Sequence, residues 1–176
     1  MTQKYFSWGD IIGQNKNGTG SYSFSEANYK AGKCGLGHNL SSDIPQGNAT
    51  YDAARTNMGS PYKMPTWDQA QELINSTISG WNTLNGVNGY MFISKTDTTK
   101  YIFLPVGGYW YMNTIYRVEY GIYRTTTRYY GASFASSSVI NFSSDSLNKS
   151  FIELYIGCSV RAIQLTYIYT CSRTSE

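Results

Sequence analysis

Ionised side chains are scarce in this sequence. Lys, Arg, Asp and Glu together make up 14% of the residues, against about a quarter in an ordinary globular domain. The formal net charge is only +3 and the basic residues are scattered, so the clustered positive potential that holds a nucleic-acid backbone is missing. Nucleic acid is not expected as a partner. No apolar run approaches the roughly 20 residues of a membrane-spanning helix, and no membrane insertion is expected. The opening residues, Met1 to Gly9, contain no apolar stretch of the kind a secretory signal needs. Export is then expected to use a leader already removed, or release inside a virus particle.

Residues that carry chemistry are few as well. His38 is the single histidine and sits in a Gly-rich loop, so a metal cluster or a Ser-His-Asp triad would rest on one residue. Cys34, Cys158 and Cys171 cannot all pair, and none stands in a CxxC. They read as buried or idle thiols, with Cys158 to Cys171 the best-placed disulfide. Gly32 to Gly37 is not followed by the Lys-Ser or Lys-Thr of a phosphate loop, and the 11 acids show no suggestive spacing. No enzymatic activity, no metal and no cofactor are expected.

What the chain has instead is tyrosine. Aromatic residues reach 16%, and 17 of them are Tyr, so the polar surface must come from Ser, Thr, Asn and Tyr. The 176 residues suit one domain with a proper core, taken as residues 1–176. Residues 9–50 are broken repeatedly by Gly, Asn and Ser and read as a long ordered loop. Two helices are expected. A short one begins near Thr50 and stops at Gly59. The second follows Pro65, where Thr66 and Gln69 have the spacing of a capping box and Trp67, Ala70, Leu73 and Ile74 share one face. Tyr90–Ile93 and Tyr101–Leu104 read as two strands of a hairpin, and Ser159–Leu165 as a closing strand. Helices early and strands late make the fold class α+β.

Several islands occur in a recognisable order: Tyr5-Phe6-Ser7-Trp8-Gly9, Tyr51-Asp52-Ala53-Ala54, Tyr62-Lys63-Met64-Pro65-Thr66, Asn85-Gly86-Val87-Asn88-Gly89-Tyr90, Phe103-Leu104-Pro105-Val106-Gly107-Gly108-Tyr109 and Gly157-Cys158-Ser159-Val160-Arg161. Together they resemble the C-type-lectin-like domains of gut Bacteroidetes and their phages, which are related to the formylglycine-generating-enzyme fold and to the variable proteins of diversity-generating retroelements. The resemblance implies a C-type-lectin-like fold with two short helices, small antiparallel sheets and long ordered loops. It also implies a variable-type surface over about residues 109–156, ending before the Gly-x-Ser-Val-Arg segment. The chain departs from the pattern in three places. Almost nothing precedes Tyr5, where relatives carry a strand that would pair with the closing one. Tyr123-Arg124-Thr125-Thr126-Thr127 stands where relatives often have Tyr-Trp-Ser-Ser-Ser. The Glu-Pro-Asn and Trp-Asn-Asp motifs of calcium-dependent sugar binding are absent.

Residues 108–156 hold 12 aromatics, about a quarter of that segment. Tyr and Trp offer large rigid contact area, and Ser, Gly and Asn adaptable hydrogen bonding, a mixture typical of recognition surfaces. Val139, Ile140 and Phe142 are expected in the core. Successive strand residues face opposite sides, so the run Tyr129 to Phe134 should expose about half its members. Phe151, Glu153 and Tyr155 are expected to point outward from an alternating strand over 151–156. The surface is therefore assigned to Tyr111, Tyr116, Tyr120, Arg128, Tyr129, Tyr130, Phe134, Phe151, Glu153 and Tyr155. Its expected partner is a host cell-surface protein or glycan, met from a virion surface or extracellular position by a homo-oligomer or a chain attached to a phage tail or fibre. A phage receptor-binding protein is the leading reading. A bacterial adhesin and a structural virion decoration protein are the alternatives.

Overall fold

The computed structural model describes residues 4–15 and 22–164. Within them, helices form where the sequence supplies a cap. Helix α1 (Glu26–Lys30) starts on Ser25, whose side chain accepts from the Asn28 N–H, and its Tyr29 is buried. It lies, with a 3₁₀ turn at Gly37–Asn39, inside the segment expected to be loop throughout. That expectation is corrected: three α-helices form, not two. Helix α2 (Ala53–Met58) begins later than Thr50 because the Asp52 carboxylate is the cap, accepting from the Arg55 N–H. Helix α3 (Trp67–Ser76) has the expected capping box: Thr66 Oγ1 accepts from the Gln69 N–H, and Gln69 Oε1 from the Thr66 N–H.

The strands are β1 (Lys4–Tyr5), β2 (Gln14–Asn15), β3 (Tyr62–Lys63), β4 (Thr77–Leu84), β5 (Val87–Ser94), β6 (Tyr101–Pro105), β7 (Tyr109–Tyr111), β8 (Thr114–Tyr116), β9 (Gly121–Tyr129), β10 (Ser136–Ser143), β11 (Ser146–Glu153) and β12 (Ile163–Gln164). They form two three-stranded sheets, β4-β5-β6 and β11-β10-β9, and three two-stranded ones. Every ladder is antiparallel. The described chain is thus α+β with few helices and small antiparallel sheets.

The hairpin of β5 and β6 is the expected one, and β4 joins it unannounced through a tight turn in which Asn85 and Gly86 both have positive φ. The strand expected over 151–156 ends at Glu153. The closing strand is also broken. Gly157, Cys158 and Ser159 bridge to Trp110, Phe6 and Tyr123 in turn, and only Ile163–Gln164 forms a further ladder, with β3. Within the expected closing strand the neighbours are thus Tyr123 and β3, while just before it Phe6 exchanges two backbone hydrogen bonds of 2.8 and 2.9 Å with Cys158.

The largest apolar cluster joins the two three-stranded sheets and α3. Trp67, Ala70, Phe92, Leu104, Tyr123, Ile140 and Phe142 are buried in it, and each large side chain contributes roughly 2–3 kcal/mol by leaving water. Val139 is buried too, on the other face of β10, beside Ile122, Ile156 and Cys158. The expected core placement of Val139, Ile140 and Phe142 therefore holds, and β10 is buried on both faces.

Loops are held by polar anchors as well as by apolar ones such as Trp8, Cys34 and Ile44, which pack together with Leu154. Asp52, fully buried, accepts from the N–H groups of Gly47 (2.8 Å), Arg55 (3.0 Å) and Met64 (3.1 Å), tying three segments together. Gly9 and Gly37 meet backbone to backbone: a Cβ on Gly9, whose φ is +78°, would lie 2.4 Å from the Gly37 Cα. Replacing Asp52 by Ala removes the shared acceptor and should cost on the order of 3 kcal/mol. A thermal melt should fall by roughly 6–12 °C, and Asp52→Asn, which keeps one acceptor oxygen, should lose less.

Candidate functional site

The site is built on the two faces of β10. Ile140 and Phe142 point into the main core, while Val139 and Asn141 border a cavity of about 530 Å³. Tyr109 and Tyr111 of β7, Arg117, and Phe151, Glu153 and Tyr155 close the same cavity. A second cavity, about 370 Å³, lies beside it, lined by Glu26, Tyr29, Lys30, His38, Arg128 and Phe134. Glu153 and Tyr155 border both cavities, so the turn after β11 is the wall between them.

A single buried cation fixes that wall. Arg124 of β9 is only 1% exposed. Its Nη2 donates to the carbonyls of Glu153 (3.1 Å) and Ile156 (2.8 Å) and reaches Cys158 Sγ at 3.3 Å, while Nη1 donates to Ser137 Oγ. Among the described residues Arg124 has no carboxylate partner. The carbonyl dipoles of the turn solvate the charge, so the turn must keep the conformation that aims them inward. β9 carries a register irregularity opposite Ser137 and Val139, and the residues it frees reach other segments. Thr126 N–H donates to Pro65 O, Thr126 O accepts from Ile44 N–H, and Thr127 Oγ1 accepts from Trp67 N–H.

The ten residues assigned from the sequence separate into groups. Tyr111, Glu153 and Tyr155 come together at the first cavity. The Tyr111 ring lies 6.1 Å from Tyr155 and 6.2 Å from Tyr116, which is exposed and stacks on Tyr109 at 5.7 Å. Tyr129, Phe134 and Phe151 form a second group: Tyr129 and Phe151 stack at 4.4 Å, and Phe134 is 6.0 Å from Phe151. Phe151 borders the first cavity and Phe134 the second, so the two groups lie on one continuous rim. Phe134 and Phe151 are exposed, and Tyr130 is the most exposed aromatic of the run at 70%. Its hydroxyl donates to Ser41 O, outside both cavities. Tyr120 packs partly buried against the cluster around Ile122, with the Arg117 guanidinium 5.1 Å over its ring.

Arg128 is only half-buried, yet much of it is committed to the scaffold. Its main-chain N–H donates to Asp43 Oδ1, its guanidinium to Leu40 O, and its Cζ stands 5.7 Å over the Trp8 ring. Residues that composition did not single out are Asn141, Arg117 and Arg124. The signal for Arg124 was present in the run Tyr123 to Thr127, where a cation sits within a strand otherwise made of small hydroxyls and a tyrosine.

The first cavity offers one cation, one carboxylate and one amide, from Arg117, Glu153 and Asn141. Arg117 and Glu153 form no ion pair among the described residues, and the Asn141 Oδ1 is shielded from solvent without a hydrogen-bond donor. Burial first, then the nearby Glu153 carboxylate and Tyr111, raises the Tyr155 hydroxyl above the ordinary tyrosine value, which keeps it a neutral donor. Burial also pushes the Cys34 thiol up to about 12 and raises Cys158, so neither is held as a thiolate near neutrality. Both are free thiols, and Cys171 lies outside the described residues. Among the described residues no group of three or more His, Cys, Asp or Glu could hold a metal ion, and no helix is long and apolar enough to cross a membrane.

Replacing Arg124 by Leu should cost on the order of 3 kcal/mol, because four backbone and side-chain acceptors lose a charged donor at once. Limited proteolysis should then cut between Glu153 and Cys158, a segment that resists it in the wild type. Arg124→Lys keeps the charge but not the fork that spans Ser137 and the turn, and should fall between the two. Comparison with family models, with curated proteins and with solved structures returns no match in any of the three.

Proposed function

We propose that this chain is a ligand-binding domain of C-type-lectin-like architecture that presents the two-cavity, tyrosine-rimmed face to a macromolecule on a host cell surface. The observation that carries the reading is the shared wall. Glu153 and Tyr155 project from a turn clamped by Arg124, with a concavity on either side and the rings of Tyr111, Tyr116, Phe134 and Phe151 along the rim. Preorganised contact groups lose little freedom on binding, so such a surface converts contact area into affinity efficiently. Tyr and Phe supply the area, while Arg117, Glu153 and Asn141 supply directional groups.

The architectural half of the proposal is supported by the pairing of Phe6 near the start with Cys158 of the Gly-x-Ser-Val-Arg segment, by helices that precede the strands, and by long loops held through buried polar anchors. Placement on a phage particle, where many copies would act together by effective concentration, follows from the resemblance of the sequence islands. The chemistry of the face suits a protein or a glycan equally, since tyrosine stacks on sugars and packs against side chains.

A binding screen against immobilised glycans and host-surface proteins tests the reading. Tyr111→Ala/Glu153→Gln should lower affinity for any ligand found by at least about tenfold, equivalent to roughly 1.4 kcal/mol, with a melting temperature close to wild type. Ile12→Ala, at an exposed residue that borders neither cavity, should bind as wild type. Equal binding by all three proteins would remove the site from this face.

A further inference from the structure

The sheet β4-β5-β6 has two faces, and only one is used by the core. The register aligns Trp81, Tyr90 and Leu104 on one face and, one position along, Ser79, Phe92 and Ile102. Apart from Ser79, all of these belong to the main cluster. The other face carries the rows Ile78, Ile93, Tyr101 and Gly80, Met91, Phe103, with Val87 beyond them. None of those side chains belongs to any of the apolar clusters among the described residues. Ile78 is 60% exposed, Tyr101 54% and Val87 46%. An antiparallel sheet with one solvated face ordinarily alternates apolar inside and polar outside. Here the outside row is apolar, in a chain that has abundant Ser, Thr and Asn to put there.

We infer that this outer face is where a second copy of the chain docks, as an isologous dimer about a two-fold axis. Charge and shape both support that occupant, independently of the function proposed above. No residue of the face is ionised; at its edge Asp97 and Lys100 pair at 3.1 Å, and the Lys95 ammonium is turned to the Asn75 carbonyl. Two copies therefore meet without like-charge repulsion, whereas a basic or acidic partner would find nothing to pair with.

The relief is self-complementary as well. A Cβ placed on Gly80 would meet nothing within 4 Å, so a depression lies beside Met91, while two residues away Ile78 projects. Same-face neighbours on a strand are about 6.6 Å apart. A dyad midway between them seats each copy's Ile78 over the other's Gly80, the reciprocal contact that two-fold symmetry requires. Gly89 contributes to the flatness of the face: a Cβ there would strike the Phe103 ring at 2.6 Å, so that ring lies across the strand.

The face measures about 14 by 26 Å from strand spacing and rise. Two such footprints together make roughly 700 Å², below the about 1,200 Å² of standard specific interfaces, so dimerisation should be weak and concentration-dependent, with a dissociation constant on the order of 100 μM. Asn141 and Val139 point away from the main core toward the first cavity, and the outer face of β4-β5-β6 lies beyond that core. A dimer formed here leaves both cavities free, and joins two recognition faces.

Sedimentation velocity over a wide concentration series tests the inference with the full chain. Wild type should pass from monomer to dimer, and Ile78→Lys and Gly80→Leu should each remain monomeric at concentrations where wild type is mostly dimer. Ile12→Lys, a charge placed on an equally exposed isoleucine elsewhere, should dimerise as wild type. Circular dichroism melts of each variant verify the fold, and the backbone at Gly80 tolerates a side chain. A wild type that stays monomeric throughout overturns the inference and leaves the face for a different protein. So does a dimer that survives both face variants, or assembly that continues past the dimer.

Discussion

A guanidinium held inside the protein without a carboxylate partner among the described residues is the constraint on which the rest is arranged. Burying a cation is costly, and the usual remedy, an opposite charge, carries its own desolvation cost. The two terminal nitrogens of Arg124 donate instead to Ser137 Oγ, two carbonyls and a sulfur, while its Nε stays buried without an acceptor. Those acceptors come from β10, from the turn after β11 and from the Cys158 segment that also pairs with Phe6. One side chain thus connects the strands that carry the cavities to the strand that ties the chain's beginning to its end. Displacing any acceptor would leave a buried charge less well solvated, which makes the arrangement cooperative.

The surroundings of Arg124 follow from that choice. Thr125, Thr126, Ser136, Ser137 and Ser138 are all buried, an unusual density of hydroxyls for a core. Small hydroxyl residues leave room for the guanidinium and add hydrogen-bonding groups of their own: Thr125 Oγ1 donates to Ser138 O at 2.9 Å. Larger apolar residues would fill the space the cation needs. The scarcity of charge in the sequence and the presence of one buried arginine are therefore compatible, because hydroxyls and carbonyls do the work that counter-ions do elsewhere.

Legibility in the sequence followed the range of the interactions. The capping box of α3, its apolar face and the β5–β6 hairpin rest on residues within a few positions of each other, and all three appear as read. Helix α1 was hidden because its five residues carry no repeated apolar period; only the Ser25 cap and the buried Tyr29 mark it. β4 was hidden for a different reason. Its apolar residues face both ways, Trp81 into the core and Ile78 outward, so no alternation of polar and apolar survives, although Asn85-Gly86 marks the turn that follows. Long-range roles were the least legible. Arg128, read as a surface residue, borders the second cavity, and its contacts with Leu40, Asp43 and Trp8, more than 80 residues distant, had no signal in the sequence. Composition located the tyrosine-rich segment without showing that it would divide into one group around Tyr111 and Tyr155 and another around Tyr129 and Phe151.

The division itself has a physical origin in β10. Residues 139 and 141 line a cavity while 140 and 142 complete the main core, so a register slip by one residue would exchange the two sets. Val139 would survive that exchange in an apolar core; Asn141 would not, and neither cavity wall nor core could accept Phe142 and Asn141 in each other's place. Register is further pinned by the irregularity in β9, which lets Thr126 and Thr127 bond to Ile44, Pro65 and Trp67 rather than to β10. The strand that bounds the site is thereby locked from both sides. The groups that lock it, Arg124, Thr126 and Thr127, are separate from the rings of Tyr111, Tyr116, Phe134 and Phe151 along the rim.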